Sequence, residues 1–249
     1  MTNHQQYFSD QTVKCAEYFE SWFYPNDERN KVTGSKKSIY NPIYKTFSDN
    51  YRQKSGKSEI IAHNCIACNF DDSASNILYF LNSNKDSQHI QYYLRLYTFL
   101  FYEHAERLGV IYKELDFVDG NNKFNWSLFP ALQSIKYWAN FFKHPKSAML
   151  LHHPDFYIDS DPDKPNFLIN EIINDDFIKT YYKGDKSNDE LREKLANKNH
   201  VKLFYPDLIL TTKALCAEFE KIVDTIKNNQ AFIDKLEPYT TIESDLNGP

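Results

Sequence analysis

Glycine, cysteine and methionine are all scarce in this sequence. Its 249 residues include six glycines, ten prolines, four cysteines and two methionines. Because glycine and proline interrupt regular elements, their scarcity favours long helices over tight hairpins. The cysteines are Cys15, Cys65, Cys68 and Cys216. They are too sparse for a disulfide framework, so we expect reduced thiols.

Segments that mark several other protein classes are missing as well. The longest apolar run near the middle, residues 97–102, is far shorter than the roughly 20 residues that cross a membrane. The polar start, residues 1–6, lacks the basic and apolar regions of a secretory signal. No glycine-rich phosphate loop, G-x-S-x-G turn or H-E-x-x-H helix is present, which disfavours P-loop and dinucleotide folds in particular. We therefore expect a cytoplasmic protein with no membrane contact and no cofactor.

Aromatic residues, by contrast, are abundant. They make up 16% of the chain, with 19 Phe and 18 Tyr, so we expect a core of rings whose hydroxyl groups need partners. Hydrophobic residues at 41% and charged residues at 25% lie in the globular range. No internal repeat divides the chain, and we expect one mainly helical domain over residues 1–249.

Charge is unevenly distributed along the chain. The net charge is -5, yet residues 26–58 hold eight basic and three acidic side chains. A basic segment on an acidic body can steer a polyanion, which makes Lys36, Lys37 and Arg52 candidate RNA contacts, although such a run is more often a solvated surface. Aromatic residues of the same segment recur every three or four positions, at Tyr40, Tyr44, Phe47 and Tyr51. This spacing is typical of a core-facing helix, while rings among cations can also stack bases.

Apolar residues spaced by three and four positions predict further helices. They cover residues 13–23, 87–115 and 211–236. In the second of these helices, Glu103 and Arg107 stand one turn apart in the order that favours an ion pair. His104 borders the apolar stripe of that helix, and we interpret it as a packed or hydrogen-bonded core-edge histidine, not as a catalytic one.

Between residues 147 and 205 the helical pattern breaks down. Short apolar pieces such as 149–151 and 167–173 alternate with turn residues, and pieces of this length do not distinguish a strand from a buried helix. We expect an irregular insertion that can hold a small sheet. Residues 237–249 are predicted to be a flexible tail.

One more helix ends in chemically distinctive residues. Asn125 or Ser127, ahead of Pro130, predicts its start, and Pro145 predicts its end at His144 because proline disfavours helical geometry in the preceding residue. Its apolar stripe is Leu128, Leu132, Ile135, Ala139 and Phe142. Steps of four and three are typical of a helix packed closely against another helix.

Two clusters have the residue types that bind metals. His63, Cys65 and Cys68 are three soft ligands, one short of a structural zinc site, and no second ligand pair follows. Redox use of the C-x-x-C would need a strand-to-helix setting of thioredoxin type, so packed thiols are the default interpretation. Carboxylates alternate at Asp155, Asp159, Asp161 and Asp163. Without the glycine and distal glutamate of a calcium loop, they indicate a solvated turn.

The remaining candidate site is the end of the helix before Pro145. Asn140 and His144 are four residues apart, so they share one helix face and can address one small group. A histidine at a helix C-terminus is stabilised when protonated, which suits a general acid or a phosphate contact. Lys136, Lys143 and Lys146 make this end cationic. Such a set suits metal-free attack by an RNA 2′-hydroxyl, so we select His144, Asn140 and Lys143 as catalytic and Lys136 and Lys146 as RNA-binding candidates.

The segment 139–144, Ala-Asn-Phe-Phe-Lys-His, resembles the R-N-x-x-x-H motif that ends a helix in the HEPN superfamily of all-α domains. In that family the arginine and histidine form the catalytic pair of a metal-independent endoribonuclease at a homodimer cleft. By position, His144 matches the histidine and Asn140 the asparagine. Ala139 stands where the motif has arginine, so Lys136 or Lys143 would have to supply the charge, as a point charge without the bidentate fork.

The resemblance implies an HEPN-like helical bundle that acts on RNA in a prokaryotic defence or stress system, such as a toxin or an abortive-infection protein. It implies RNA and a second copy of the chain, or another protein, as partners, and either an endoribonuclease or a non-catalytic relative. The alternative is a helical protein–protein interaction module without enzymatic activity. A third class, a metal-binding or small-molecule-binding domain, rests on His63, Cys65 and Cys68 alone.

Overall fold

The computed structural model describes residues 2–25, 36–56, 62–144, 154–164, 172–187, 189–190, 193, 201–236 and 240–242. These residues form a mainly helical fold that carries a small parallel sheet. Among the described residues, no helix is both long enough and apolar enough to cross a membrane.

The helices and strands follow one another along the whole chain. The α-helices are α1 (Asn3–Phe23), α2 (Asn41–Ser55), α3 (Cys65–Ser83), α4 (Ile90–Glu106), α5 (Pro130–Lys143), α6 (Asp175–Lys183), α7 (Leu208–Lys227) and α8 (Gln230–Leu236). The strands are β1 (Ala62–Asn64), β2 (Asp155–Ile158), β3 (Ile172–Ile173), β4 (Lys202–Tyr205) and β5 (Thr240–Ile242). Strands β2, β4 and β3 form a three-stranded parallel sheet with β4 in the middle, while β1 and β5 form an antiparallel pair.

The core lies between the long helices and consists largely of aromatic rings. Helix α1 packs on α7 and α3, and α4 packs between α3 and α5. The ring of Phe101 on α4 meets that of Phe19 on α1 edge-on, with centroids 5.6 Å apart. Tyr97 Oη hydrogen bonds to Thr212 Oγ1 at 2.8 Å, deep in this core. The expectation of a ring-built core with partnered hydroxyl groups is confirmed for Tyr97.

Helix α1 begins ten residues earlier than the predicted start at residue 13. The amide of Gln5 donates to Thr2 Oγ1 at 3.2 Å, and the amide of Thr2 donates to Gln5 Oε1 at 3.1 Å. This reciprocal cap satisfies two otherwise unpaired amides at the helix start. The periodicity missed these turns because their buried face includes polar residues, among them Ser9 and Gln11.

Helix α4 is shorter than the predicted span 87–115. It ends at Glu106 and passes into a 3₁₀ turn over Arg107–Val110. Leu108 and Leu115 are nevertheless buried, so the apolar stripe continues while the backbone leaves the helix. The Glu103–Arg107 ion pair is confirmed, with 2.7 Å between Oε1 and Nη2.

The predicted helix over 211–236 is two helices. Asp207 Oδ1 accepts from the amide of Leu210 at 2.8 Å, so α7 starts at Leu208, ahead of the predicted start at residue 211. It ends at Lys227, and α8 follows from Gln230. The buried stripe is confirmed at Leu215, Phe219, Ile222, Ile226 and Ile233.

The segment 147–205 is more regular than expected in its described parts. Its three strands are parallel, with Phe156 beside Leu203 and Ile173 also beside Leu203 in the register, and α6 follows β3. Asn174 Oδ1 caps α6 by accepting from the amide of Phe177 at 2.9 Å. The short apolar piece 149–151 lies outside the described residues. Of the piece 167–173, only the last two residues are described.

The predicted tail contains a strand. Thr240–Ile242 pairs antiparallel with Ala62–Asn64, so the expectation of a flexible tail is wrong for these residues. The sequence does not reveal this pairing because the partner strand lies far away along the chain. Residues 237–239 and 243–249 are outside the described part.

The described part of the basic segment, residues 36–56, contains helix α2. Tyr40 and Phe47 are buried, which confirms a core-facing helix there. Gly56 adopts a left-handed conformation with φ 66° and ends α2, a geometry that glycine adopts without steric cost. Its amide donates to the carbonyl of Arg52 at 3.0 Å.

Candidate nucleic-acid site at the end of helix α5

Helix α5 carries the candidate site and is anchored at its start by a carboxylate from α7. The amides of Ala131 and Leu132 donate to the two oxygens of Glu218, each at 2.8 Å. The predicted start at Asn125 or Ser127 is wrong, because Asn125 caps the preceding 3₁₀ turn, accepting from the Ser127 amide at 3.2 Å. A cap from a distant helix leaves no local sequence signal.

Most of the predicted apolar stripe of α5 is confirmed. Leu132, Ile135, Ala139 and Phe142 are buried. Leu128 is 41% exposed, so its assignment to the stripe is wrong. It lies in the 3₁₀ turn ahead of α5, where the helical register does not apply.

The helix ends where Pro145 predicts. Lys143 is its last residue, and His144 has extended geometry with φ -76° and ψ 119°. Lys143 and His144 are exposed, and Asn140 is half-buried. Among the described residues, no hydrogen bond or ion pair engages these three side chains. Within the described part of the chain, these three side chains do not act as helix caps.

Arg95 on α4 lies against the same end of α5. Its guanidinium carbon is 5.9 Å from the ring centroid of Phe142, two residues before His144. Its Nε is buried and has no hydrogen-bond partner within the described residues. An arginine donor that is removed from water without an acceptor is costly unless a ligand supplies one.

A cavity of about 520 Å³ opens beside Arg95. Its described lining residues are His89, Ile90, Gln91, Tyr92, Arg95, Leu96 and Phe99. The surface thus combines one permanent cation with two aromatic rings and aliphatic side chains. Cationic and aromatic groups side by side are the elements that bind a phosphate and an adjoining base in single-stranded nucleic acid.

Lys136 does not join the helix end. Its Nζ lies 4.0 Å from the ring centroid of Trp126, at the opposite end of α5. Burial lowers the pKa of Lys136, while nearby Glu106 acts in the opposite direction. The prediction that Lys136 contributes to the same RNA site is not supported by this placement.

Two cations of the basic segment lie beside carboxylates on α1 and α2. Lys36 Nζ pairs with Glu20 Oε1 at 2.9 Å, and Arg52 Nη1 lies 3.7 Å from Asp49 Oδ1. Lys37 is exposed. Lys36 and Arg52 thus lie beside carboxylates of α1 and α2, and Lys146 lies outside the described residues.

One of the acidic residues in the turn after β2 is buried. Asp161 is buried, and one of its oxygens pairs with Nδ1 of His4, while Nε2 of His4 lies 2.8 Å from the carbonyl oxygen of Phe156. Burial raises the pKa of Asp159, and Asp207 beside it acts in the same direction. The solvated-turn interpretation is confirmed for Asp159 and Asp163, which are exposed in turns, and is wrong for Asp161, because the parallel sheet folds this residue against the start of α1.

The cysteine cluster shows no metal-binding arrangement in its described members. Within the described residues, no group of three or more His, Cys, Asp or Glu side chains is placed to hold a metal. The side chain of His63 lies outside the described part. Cys65 is exposed, while Cys15 and Cys216 are buried.

Sequence reasoning missed Arg95 as a candidate site residue. Arg95 follows buried Leu94 on α4, and no motif singles it out. Comparison of the chain with protein-family models, with curated proteins and with solved structures finds no match.

Proposed function

We propose that this chain is an HEPN-like, RNA-directed protein that binds an RNA phosphate at the C-terminal end of α5. The observation that supports this most strongly is Arg95 of α4. Its guanidinium lies over the ring of Phe142, in the last turn of the helix that carries exposed Lys143 and His144, and its buried Nε lacks a partner in the described residues. Arginine presents a planar fork that suits phosphate oxygens. Arg95, on the neighbouring helix α4, thus supplies the positive charge that the motif's arginine carries and that Ala139 lacks.

The packing of α5 accounts for the missing arginine of the motif. Ala139 is 1% exposed and faces the helical core, where a guanidinium would be desolvated without a partner. Phe142, on the same buried stripe, instead carries the Arg95 guanidinium over its ring. A cation held over an aromatic face is stabilised there while its edge stays free to donate.

Each residue of the proposed site has a separate role. Exposed His144 exchanges a proton with the attacking 2′-hydroxyl or the leaving 5′-oxygen. Arg95 and Lys143 offset the charge that develops on the phosphate, and Asn140 supplies an amide to hold one oxygen. Attack by the 2′-hydroxyl on the phosphorus breaks the bond to the 5′-oxygen and leaves a cyclic phosphate. No metal ion is required for these steps.

The cavity of about 520 Å³ beside Arg95 would receive a base next to the bound phosphate. Tyr92, which is 57% exposed, and Phe99 offer ring faces for stacking. Stacking of this kind tolerates different bases and requires an unstacked strand. The proposed ligand is therefore single-stranded RNA.

Cleavage of labelled single-stranded RNA in the presence of a chelator tests the enzymatic proposal. We expect His144→Ala to abolish cleavage and Arg95→Ala to lower it more than Arg95→Lys, because lysine keeps the charge and loses the fork. Lys113→Ala is the matched control, since this exposed lysine follows α4 at the end opposite to Arg95. Equal activity in the wild type and the His144 variant would refute catalysis.

An RNA-binding assay distinguishes a non-catalytic RNA-binding relative from a protein that does not recognise RNA. A gel-shift or fluorescence titration with the same RNA should show weaker binding by Arg95→Ala and unchanged binding by Lys113→Ala. Mass photometry of the wild type tests the proposed homodimer. If Arg95→Ala and the wild type bind RNA equally, the α5 site is not the binding site, and the interaction module becomes the better proposal.

A further inference from the structure

A pair of cysteines on α3 lines one cavity, away from the proposed RNA site. Cys65 opens the helix and Cys68 follows three residues later, so both lie on one face. The cavity measures about 370 Å³ and is lined by Cys65, Cys68, Asn69, Asp72, Ser73, Asn76 and Arg107. Cys65 is exposed and Cys68 is partly exposed, so a small reagent can reach both thiols.

Two sources of positive charge lie at Cys65. It is the first residue of a 19-residue helix, whose N-terminal end carries positive partial charge. Arg107 lines this cavity and a smaller one of about 100 Å³, and Cys65 lines both. One Nη of Arg107 pairs with Glu103, while its buried Nε has no hydrogen-bond partner among the described residues. Exposed cysteines in such electropositive surroundings are the reactive ones.

Cys68, in contrast, lies beside a negatively charged side chain. Its Sγ donates a hydrogen bond to Asp72 Oδ2 at 3.5 Å. Burial, with the neighbouring Asp72 carboxylate, raises the pKa of the Cys68 thiol. Cys68 therefore remains protonated in the resting protein.

We propose that Cys65 and Cys68 are a reactive dithiol that low-molecular-weight disulfides, such as oxidised glutathione, convert reversibly to an intramolecular disulfide. Residues three apart on a helix have Cα atoms about 5 Å from each other, which lies within the range that a disulfide spans. Rotation of the side chains at the first turn then brings the sulfur atoms together.

The reaction proceeds in two exchange steps. The Cys65 thiolate attacks one sulfur of oxidised glutathione, forms a mixed disulfide and releases one glutathione thiolate. Cys68 then loses its proton to the solvent, attacks the Cys65 sulfur as a thiolate and releases the second glutathione. The two cysteine sulfurs are oxidised, one glutathione disulfide is reduced to two thiols, and the two cysteine protons end on these thiols.

Peptide mass spectrometry after incubation of the folded full chain with oxidised glutathione tests the proposal. We expect the peptide that holds Cys65 and Cys68 to lose two hydrogen atoms and to regain them with a dithiol reductant. Cys68→Ser should trap glutathione on Cys65, and Cys65→Ser should leave Cys68 largely unreacted. The buried Cys15 and Cys216 are internal controls and should react only after unfolding.

Substitution of Arg107 distinguishes a Cys65 thiol that this cation activates from a thiol that is merely accessible. Arg107→Gln should slow the first exchange step, and Arg107→Lys should restore much of the rate, because both wild-type and lysine side chains stabilise the thiolate. Circular dichroism confirms that each variant is folded. A wild type that carries glutathione on Cys65 without forming the internal disulfide, or that shows equal reaction of all four cysteines, would overturn the proposal.

Discussion

The buried imidazole of His104 leads to a prediction about stability in acid. Its side chain is fully buried, with Nε2 2.7 Å from Tyr40 Oη and Nδ1 2.6 Å from Ser73 Oγ. Phe219 lies over it, with ring centroids 4.2 Å apart. Burial, assisted by the nearby Arg107 cation, lowers the pKa of His104 from 6.5 to about 3. The imidazole is therefore neutral in the folded protein.

Because the pKa of His104 is lowered in the folded protein, acid reduces the stability of the fold. As the pH falls below 6.5, His104 takes up a proton in the unfolded chain and stays neutral in the folded one, so protons favour unfolding. The stabilisation is complete above this pH and is lost as the pH falls toward the folded-state pKa of about 3. The linkage relation gives a loss of about 2 kcal/mol at about pH 5 and about 4 kcal/mol at about pH 3.

Urea unfolding followed by tryptophan fluorescence measures this loss. We compare the wild type with His104→Gln at about pH 7 and about pH 5. Glutamine keeps a hydrogen-bond donor and an acceptor but does not titrate. Between these two pH values, the free energy of unfolding of the wild type should fall by about 2 kcal/mol more than that of the variant.

Other titrating groups contribute equally to both proteins and cancel in this difference. The dependence on urea concentration should stay the same in the two proteins, so that the comparison reports stability and not a change in the unfolded state. A parallel decline of the wild type and His104→Gln would refute the assignment of acid sensitivity to this histidine.

Three further predictions concern packing and capping. Glu218→Ala should lower the free energy of unfolding by about 1–2 kcal/mol, measured by thermal unfolding, because two amides at the start of α5 lose their acceptor. Thr212→Val should cost about 1–3 kcal/mol because the buried hydroxyl of Tyr97 loses its partner, whereas Thr225→Val, at an exposed hydrogen bond, should cost less. His144→Ala should change stability by less than about 0.5 kcal/mol because the side chain is exposed, and a larger loss would contradict its assignment to an open site.

The faces and the end of the helix that carries the candidate site could be predicted from the sequence. The spacing of Leu132, Ile135 and Phe142 placed them in the core, and Pro145 ended the helix at His144. The packed, hydrogen-bonded role of His104 also followed from its position beside an apolar stripe, although the side chain is fully buried and not at the edge of the core. These features depend on neighbours within a few turns, and the helical repeat itself brings those neighbours together.

The contacts that complete the site did not follow from the sequence. Glu218 caps α5 from 86 and 87 positions away, and His4 pairs with Asp161 across 157 positions. The pairing of β1 with β5 likewise joins distant segments. No periodicity or local motif records such contacts, because the intervening chain can take many routes between the same two residues.

The sequence by itself therefore determined the apolar faces of several helices and where the candidate helix stops. These properties arise from backbone sterics and from the burial of side chains at a fixed repeat. Only the tertiary structure decided that Arg95 lies over Phe142 beside the end of α5, and that Cys65 shares a cavity with Arg107. Both depend on how separate helices pack, and the charge at each site is supplied by a different helix from the one that carries the predicted residues.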